Sequence, residues 1–197
     1  MFSAWRPIDL MSLPVIIVTH TLLVALLAGA VVVDLHSRRI PNRLVLIGIA
    51  LAFIAQAIAL GMGSVPLAGP DWWAPLAGLL SGFALLMPLY LLRATGAGDV
   101  KLMAMVGAFV GPHAVVAAAL YTLVAGGLLS VLFMFGRGVA TQTLANVRFM
   151  LTDLAVRVGS RQGARLAPLQ TTAARLPYAV AIALGTAASL VWPPGWI

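Results

Sequence analysis

Asp34 and Asp99 are the residues of this chain best suited to chemistry. Asp34 ends a run of apolar residues, and Asp99 closes the tetrapeptide Gly96-Ala97-Gly98-Asp99 that opens another. An ionisable group at or inside the edge of a membrane's hydrocarbon costs about 2.5–3.5 kcal/mol on insertion scales, so a carboxylate kept there usually has a task. Two carboxyl groups that share a site can hold one proton between them. One then activates a water while the other donates to the carbonyl oxygen under attack. Each acid also has a simpler reading: Asp34 as the partner of Arg38, one turn further on, and Asp99 as a cap for the helix that it opens.

The elements that must position this pair are membrane helices. Hydrophobic residues make up 62% of the 197 residues and charged residues 9%, whereas a soluble domain has about 25% charged residues. With no cysteine, disulfides, thiolate-bound zinc and a cysteine nucleophile are excluded. His20, His36 and His113 fall in three different segments, so neither a metal site nor any other cofactor is expected. The formal charge of +7 would suggest nucleic acid in a soluble protein, but here the basic residues sit in the connections between apolar runs, which speaks for lipid and against nucleic acid.

Spans are expected at about 14–33, 43–60, 74–92, 99–111, 114–135 and 176–192. They predict an all-α, polytopic protein with six transmembrane helices in a single membrane-embedded domain over residues 1–197. A single helix over 100–135 would run about 54 Å, against a hydrocarbon core of about 30 Å, and Gly111-Pro112-His113 offers the break. The run that follows Asp99 is short for a span, so either its helix begins before Asp99 or Asp99 is recessed in a wet cavity. Gly96 and Gly98 would let the backbone there take positive φ and approach a substrate closely.

Basic residues set the orientation. Arg38, Arg39 and Arg43 lie between spans one and two, Arg93 and Lys101 between three and four, and Arg137, Arg148, Arg157, Arg161, Arg165 and Arg175 between five and six; 61–73, 111–113 and the C-terminal tail hold none. The positive-inside rule makes the first set cytoplasmic and both termini periplasmic, with Arg6 the one dissenter. Trp5, Trp72, Trp73, Trp192 and Trp196 all fall on the outer side, as an interfacial belt would. Ala28-Gly29-Ala30 resembles a signal-peptide cleavage site, but cleavage there would invert every later loop, so it is rejected. Asp34 and Asp99 thus come to the same depth on the same, inner side.

Between spans five and six, Leu144, Val147, Leu151, Leu154 and Val158 recur at helical spacing, opposite Gln142, Asn146, Asp153, Arg157 and Arg161. The loop 136–175 therefore reads either as a cytoplasmic amphipathic helix on anionic lipid or as a connector packed on the bundle. Gly78 and Gly82 form a GxxxG for which packing inside the bundle is favoured over dimerisation.

The stretches DLHSRRIPN at 34–42 and GAGDVKLMAMVGAFVGP at 96–112, on a six-span chain, resemble the type IV prepilin peptidases, the Gly-x-Gly-Asp aspartic peptidases of the bacterial inner membrane. LPYAVAIALG at 176–185 is similar to the last span of their short, tight-adherence (Flp) pilus branch. The resemblance implies Asp34 and Asp99 as the catalytic pair, with Gly96 and Gly98 shaping the loop of the second. Arg38, Arg39, Pro41, Asn42 and Lys101, in the same two motifs, are the further candidates for substrate contact or loop shaping. It also implies removal of a short basic leader from membrane-inserted prepilins and pseudopilins at the cytoplasmic face. Larger relatives that also methylate the new N-terminus have an extra early cytoplasmic region; with about nine residues between spans one and two, methylation has no visible home here. The competing reading is a small proton- or ion-coupled transporter with Asp34 and Asp99 as a relay, which would place acids near the midplane within an inverted repeat. The sequence is silent on oligomeric state.

Overall fold

The computed structural model describes residues 13–92, 95–136, 148, 152, 178–193 and 195. Among them the chain forms five helices: α1 (Leu13–Ser37), α2 (Asn42–Gly61), α3 (Ala74–Leu91), α4 (Ala97–Gly136) and α5 (Tyr178–Val191). The first four are long and apolar enough to cross a membrane, and α5 is a shorter apolar helix. On the outward faces of α1 to α3, side chains such as Ile17, Val24, Leu46, Ile54, Leu76 and Leu80 are about half exposed or more. In water such a surface would drive aggregation; in hydrocarbon it is solvated.

The expected break in the long apolar stretch falls where the sequence placed it. The backbone of α4 leaves the helical region at Gly111, with φ 82° and ψ 174°, which only glycine adopts without strain. A Cβ there would also collide with the backbone of Ala68. The limb before the break is the centre of the fold: every residue from Leu102 to Val110 is buried. A helix that is apolar all round has no face for water and takes the interior. Surrounded by other helices, this limb of about 21 Å need not match the bilayer thickness.

The flanking helices approach through glycine. A Cβ on Gly78 would overlap the carbonyl of Gly107, one on Gly107 would overlap the carbonyl of Gly78, and one on Gly82 would meet Met103. The GxxxG of α3 is thus used against α4 of the same chain. Gly48 of α2 meets Met105, and Gly185 of α5 meets Thr122. Helix α1 packs on both α2 and α5. The connection between α2 and α3 is held by the buried amide of Gln56, whose Nε2 donates to the carbonyls of Gly69 (3.0 Å) and Asp71 (2.7 Å).

The chain divides into two compact units, Met1–Ala125 with Pro177–Ile197, and Gly126–Leu176. In the second, Ser130 Oγ donates to the Gly126 carbonyl at 2.7 Å. Of the loop 136–175 only Gly136, Arg148 and Thr152 are described, the last two helical, so the amphipathic helix expected there lies outside the described residues.

Candidate active site

The first unit contains both acids. Asp34 lies within α1, not at its end, because the helix continues to Ser37 before it stops. It ends where Arg38 enters the left-handed region (φ 51°) and sends its N–H back to the Asp34 carbonyl at 2.8 Å. This is an αL cap on a residue that is not glycine. Pro41 then precedes the first turn of α2, where its missing N–H costs nothing. The reversal of the chain between two membrane helices is completed in the Arg38-Arg39-Ile40-Pro41 connection.

The Asp34 side chain is only 6% exposed. Its Oδ2 accepts the buried backbone N–H of Ala179, in the first turn of α5, at 3.2 Å. Main-chain atoms, not the ion pair considered from sequence, link Asp34 to Arg38. The first amides of a helix lack partners within it, so Asp34 both satisfies an orphan donor of α5 and ties α1 to the last helix.

Asp99 sits in the first turn of α4, which begins before it at Ala97; this resolves the sequence alternative in favour of the earlier start. Its Oδ2 accepts the Gly96 N–H at 2.9 Å. A carboxylate reaching back over three residues to the amide before a helix is one half of a capping box. The capping role proposed for Asp99 is therefore real, but it engages one oxygen. Among the described residues neither Asp34 nor Asp99 has a further side-chain hydrogen bond, so one oxygen of each carboxylate is left for other work. The two are near enough for the Asp34 charge to act on Asp99.

The glycines of the second motif act differently from the expectation. Neither Gly96 nor Gly98 takes a positive φ; among the described residues the positive-φ positions are Arg38, Gly63, Gly69 and Gly111. Gly98 is helical, and what favours it is close contact: a Cβ there would stand 3.2 Å from Cβ of Ile40. A Cβ on Gly96 would stand 3.3 Å from Oδ2 of Asp99, against the oxygen that the Gly96 amide binds. Both glycines are thus set by close packing, Gly96 against its own motif and Gly98 against the other, and not by unusual backbone angles.

A second link joins the motifs at the surface, where Lys101 Nζ donates to Asn42 Oδ1 at 3.0 Å. Ile40 on Gly98 and Lys101 on Asn42 together hold the turn after Asp34 against the helix that carries Asp99. Arg38, Arg39 and Pro41 are exposed on that turn. Of the sequence candidates, the structure therefore joins Asn42, Lys101 and Gly98 to one another across the motifs and leaves the two arginines at the surface.

Two groups at this end of the fold escaped the sequence reading. Tyr178 opens α5 and is half-buried against the core, and Asp99 acts on it electrostatically. The hydroxyl of Thr95, just before Gly96, is shielded from solvent and has no hydrogen-bond partner among the described residues. The only hint in sequence was position: Thr95 adjoins the Gly-x-Gly-Asp motif, and Tyr178 follows a proline at a helix start. Among the described residues no group of three or more His, Cys, Asp or Glu could hold a metal ion.

An apolar bundle of helices long enough to cross a membrane, with a buried Asp34 and a half-buried Asp99 near enough for one charge to act on the other, is the framework of an integral membrane protein. The family model described as the type IV leader peptidase family matches residues 21–131, more than half of the chain, and the protein belongs to that family. It is a peptidase of the prepilin leader class. The matched stretch includes Asp34, the 38–42 turn, Gly96, Gly98, Asp99 and Lys101, and stops short of α5. No curated protein and no solved structure matches the chain.

Proposed function

We propose that this protein is an aspartic endopeptidase that removes the short basic leader from Flp-type prepilins and pseudopilins at the cytoplasmic face of the inner membrane, with Asp34 and Asp99 as its catalytic pair. The observation that supports the reading is that Asp34 and Asp99, from different helices, stand near enough for the charge of one to act on the other. Each is held through one oxygen by a backbone amide, Ala179 for Asp34 and Gly96 for Asp99, and each keeps the other oxygen for reaction. In the proposed step the ionised carboxylate takes a proton from water as the water oxygen attacks the scissile carbonyl carbon. The protonated partner then gives its proton to the carbonyl oxygen. Collapse of the tetrahedral intermediate expels the amine of the mature pilin, which leaves with a proton from the pair.

The proposed topology has six spans, α4 counting as two because of its break at Gly111, and both termini in the periplasm. Exposed Arg38, Arg39, Arg43 and Lys101 would then lie at the cytoplasmic surface with anionic lipid. This depth suits a substrate whose cleavage point stands just before its membrane helix.

Co-expression with a candidate prepilin tests the activity. The expected result is a faster-migrating pilin that carries the new N-terminus expected from leader removal; an unprocessed pilin, across a panel of leader-bearing substrates, would refute it. Reporter fusions test the side of the membrane. A reporter after Gly138 is expected to be active in the cytoplasm and one after Gly69 in the periplasm, and the opposite pattern would put both aspartates on the wrong face.

A further inference from the structure

We propose that the Tyr178 hydroxyl is a third catalytic group of this site, a hydrogen-bond donor to the carbonyl oxygen of the scissile peptide. The inference rests on the peptidase reading above and extends it to the last helix, beyond the residues that the family model covers.

Position is the first ground. Tyr178 immediately precedes Ala179, whose amide is on Asp34, and its half-buried phenol lies within the field of Asp99. The start of α5 therefore bears on both carboxylates. The side chain is packed against the core cluster, while its hydroxyl has no hydrogen-bond partner among the described residues.

The demand of the chemistry is the second ground. Attack of water on the carbonyl carbon moves an electron pair onto the carbonyl oxygen, and preorganised donors aimed at that oxygen stabilise the charge as it develops. The backbone amides of Ala179 and Gly96 are already spent on the aspartates, and Lys101 Nζ is turned to Asn42. Tyr178 supplies an O–H at the right end of the bundle. It keeps its proton throughout: the water proton goes to the ionised carboxylate, and the carbonyl oxygen takes its proton from the other. Thr95 is the alternative donor, since its hydroxyl, just before Gly96, is also without a partner among the described residues.

Tyr178→Phe removes the hydroxyl and keeps the ring that packs. The test uses the full chain reconstituted in vesicles with a synthetic substrate, a short lysine-bearing leader ahead of an apolar helix of about 20 residues. The expected result is a fall in kcat of about 10²-fold, the scale for loss of one oxyanion donor, with KM within about twofold of wild type and an unchanged thermal midpoint. A wild-type kcat in Tyr178→Phe would overturn the proposal. So would a loss confined to KM, a loss matched by a fall in thermal midpoint, or a kcat loss found in Thr95→Val instead. Asp34→Asn and Asp99→Asn are run in parallel. If both are inactive while Tyr178→Phe is fully active, the tyrosine proposal alone fails; if all three cleave like wild type, the carboxylate pair fails and takes this proposal with it.

Discussion

Asp34→Asn is expected to abolish leader removal while the protein still inserts, accumulates and melts as wild type does. The amide is the same size as the carboxyl and keeps an oxygen that can accept the Ala179 N–H, so the tie between α1 and α5 survives. What it cannot do is exchange a proton with its partner. Loss of one member of a catalytic group that acts as a unit lowers kcat by about 10⁴-fold or more. The same holds for Asp99→Asn, whose side-chain oxygen can still accept from Gly96.

Asp34→Ala should behave differently from Asp34→Asn. It leaves the buried Ala179 amide without a partner, at a cost of about 1–3 kcal/mol, so both activity and thermal midpoint should fall. Cleavage by purified variants, read beside their melting curves, separates the two roles. Near wild-type cleavage by either asparagine variant would exclude the aspartic mechanism; equal melting of Asp34→Ala and Asp34→Asn would remove the structural role given to the Ala179 bond.

The second large effect is expected at the crossing of α3 and α4. Side chains on Gly78 and Gly107 would each strike the other's carbonyl oxygen, and backbone cannot move aside as the end of a flexible side chain can. Overpacking a close-packed interior costs about 1–3 kcal/mol. With backbone on both sides and Gly82 against Met103 close by, Gly78→Val should reach about 3 kcal/mol or more and leave little folded protein. Gly61→Ala is the control, because a Cβ there meets nothing within 4 Å; it should match wild type. Monodispersity and melting in detergent would report both, and a Gly78→Val protein as stable as wild type would contradict the crossing. Dimerisation through this motif is not needed to explain its glycines, since their open side is already filled by α4.

Much of this protein is determined along its sequence. Apolar runs with few charges admit only membrane helices, because hydrocarbon offers no partner to an exposed backbone. Gly111-Pro112 had to interrupt a stretch too long for one crossing, and the backbone does break there. Asp34 and Asp99 were conspicuous because charge near hydrocarbon is costly, and the motifs around them carried the family. Those signals are local, and each can be read from a window of residues.

The neighbours of those residues were decided only by the tertiary structure. Ala179 reaches Asp34 from 145 positions away, and Lys101 meets Asn42 across 59. The helices between offered no polar face from which their orientation could be inferred, since in lipid both faces are apolar and association depends on shape. Glycine was ambiguous for the same reason. In the sequence, Gly98 permits either an unusual φ or a close approach, and Gly111 permits the same two. Only contact with Ile40 makes Gly98 a helical packing residue, whereas Gly111 takes the left-handed region under the backbone of Ala68. Tyr178 carried no signal of its own in the sequence; the fold sets it next to Ala179, whose amide holds Asp34, and within the field of Asp99.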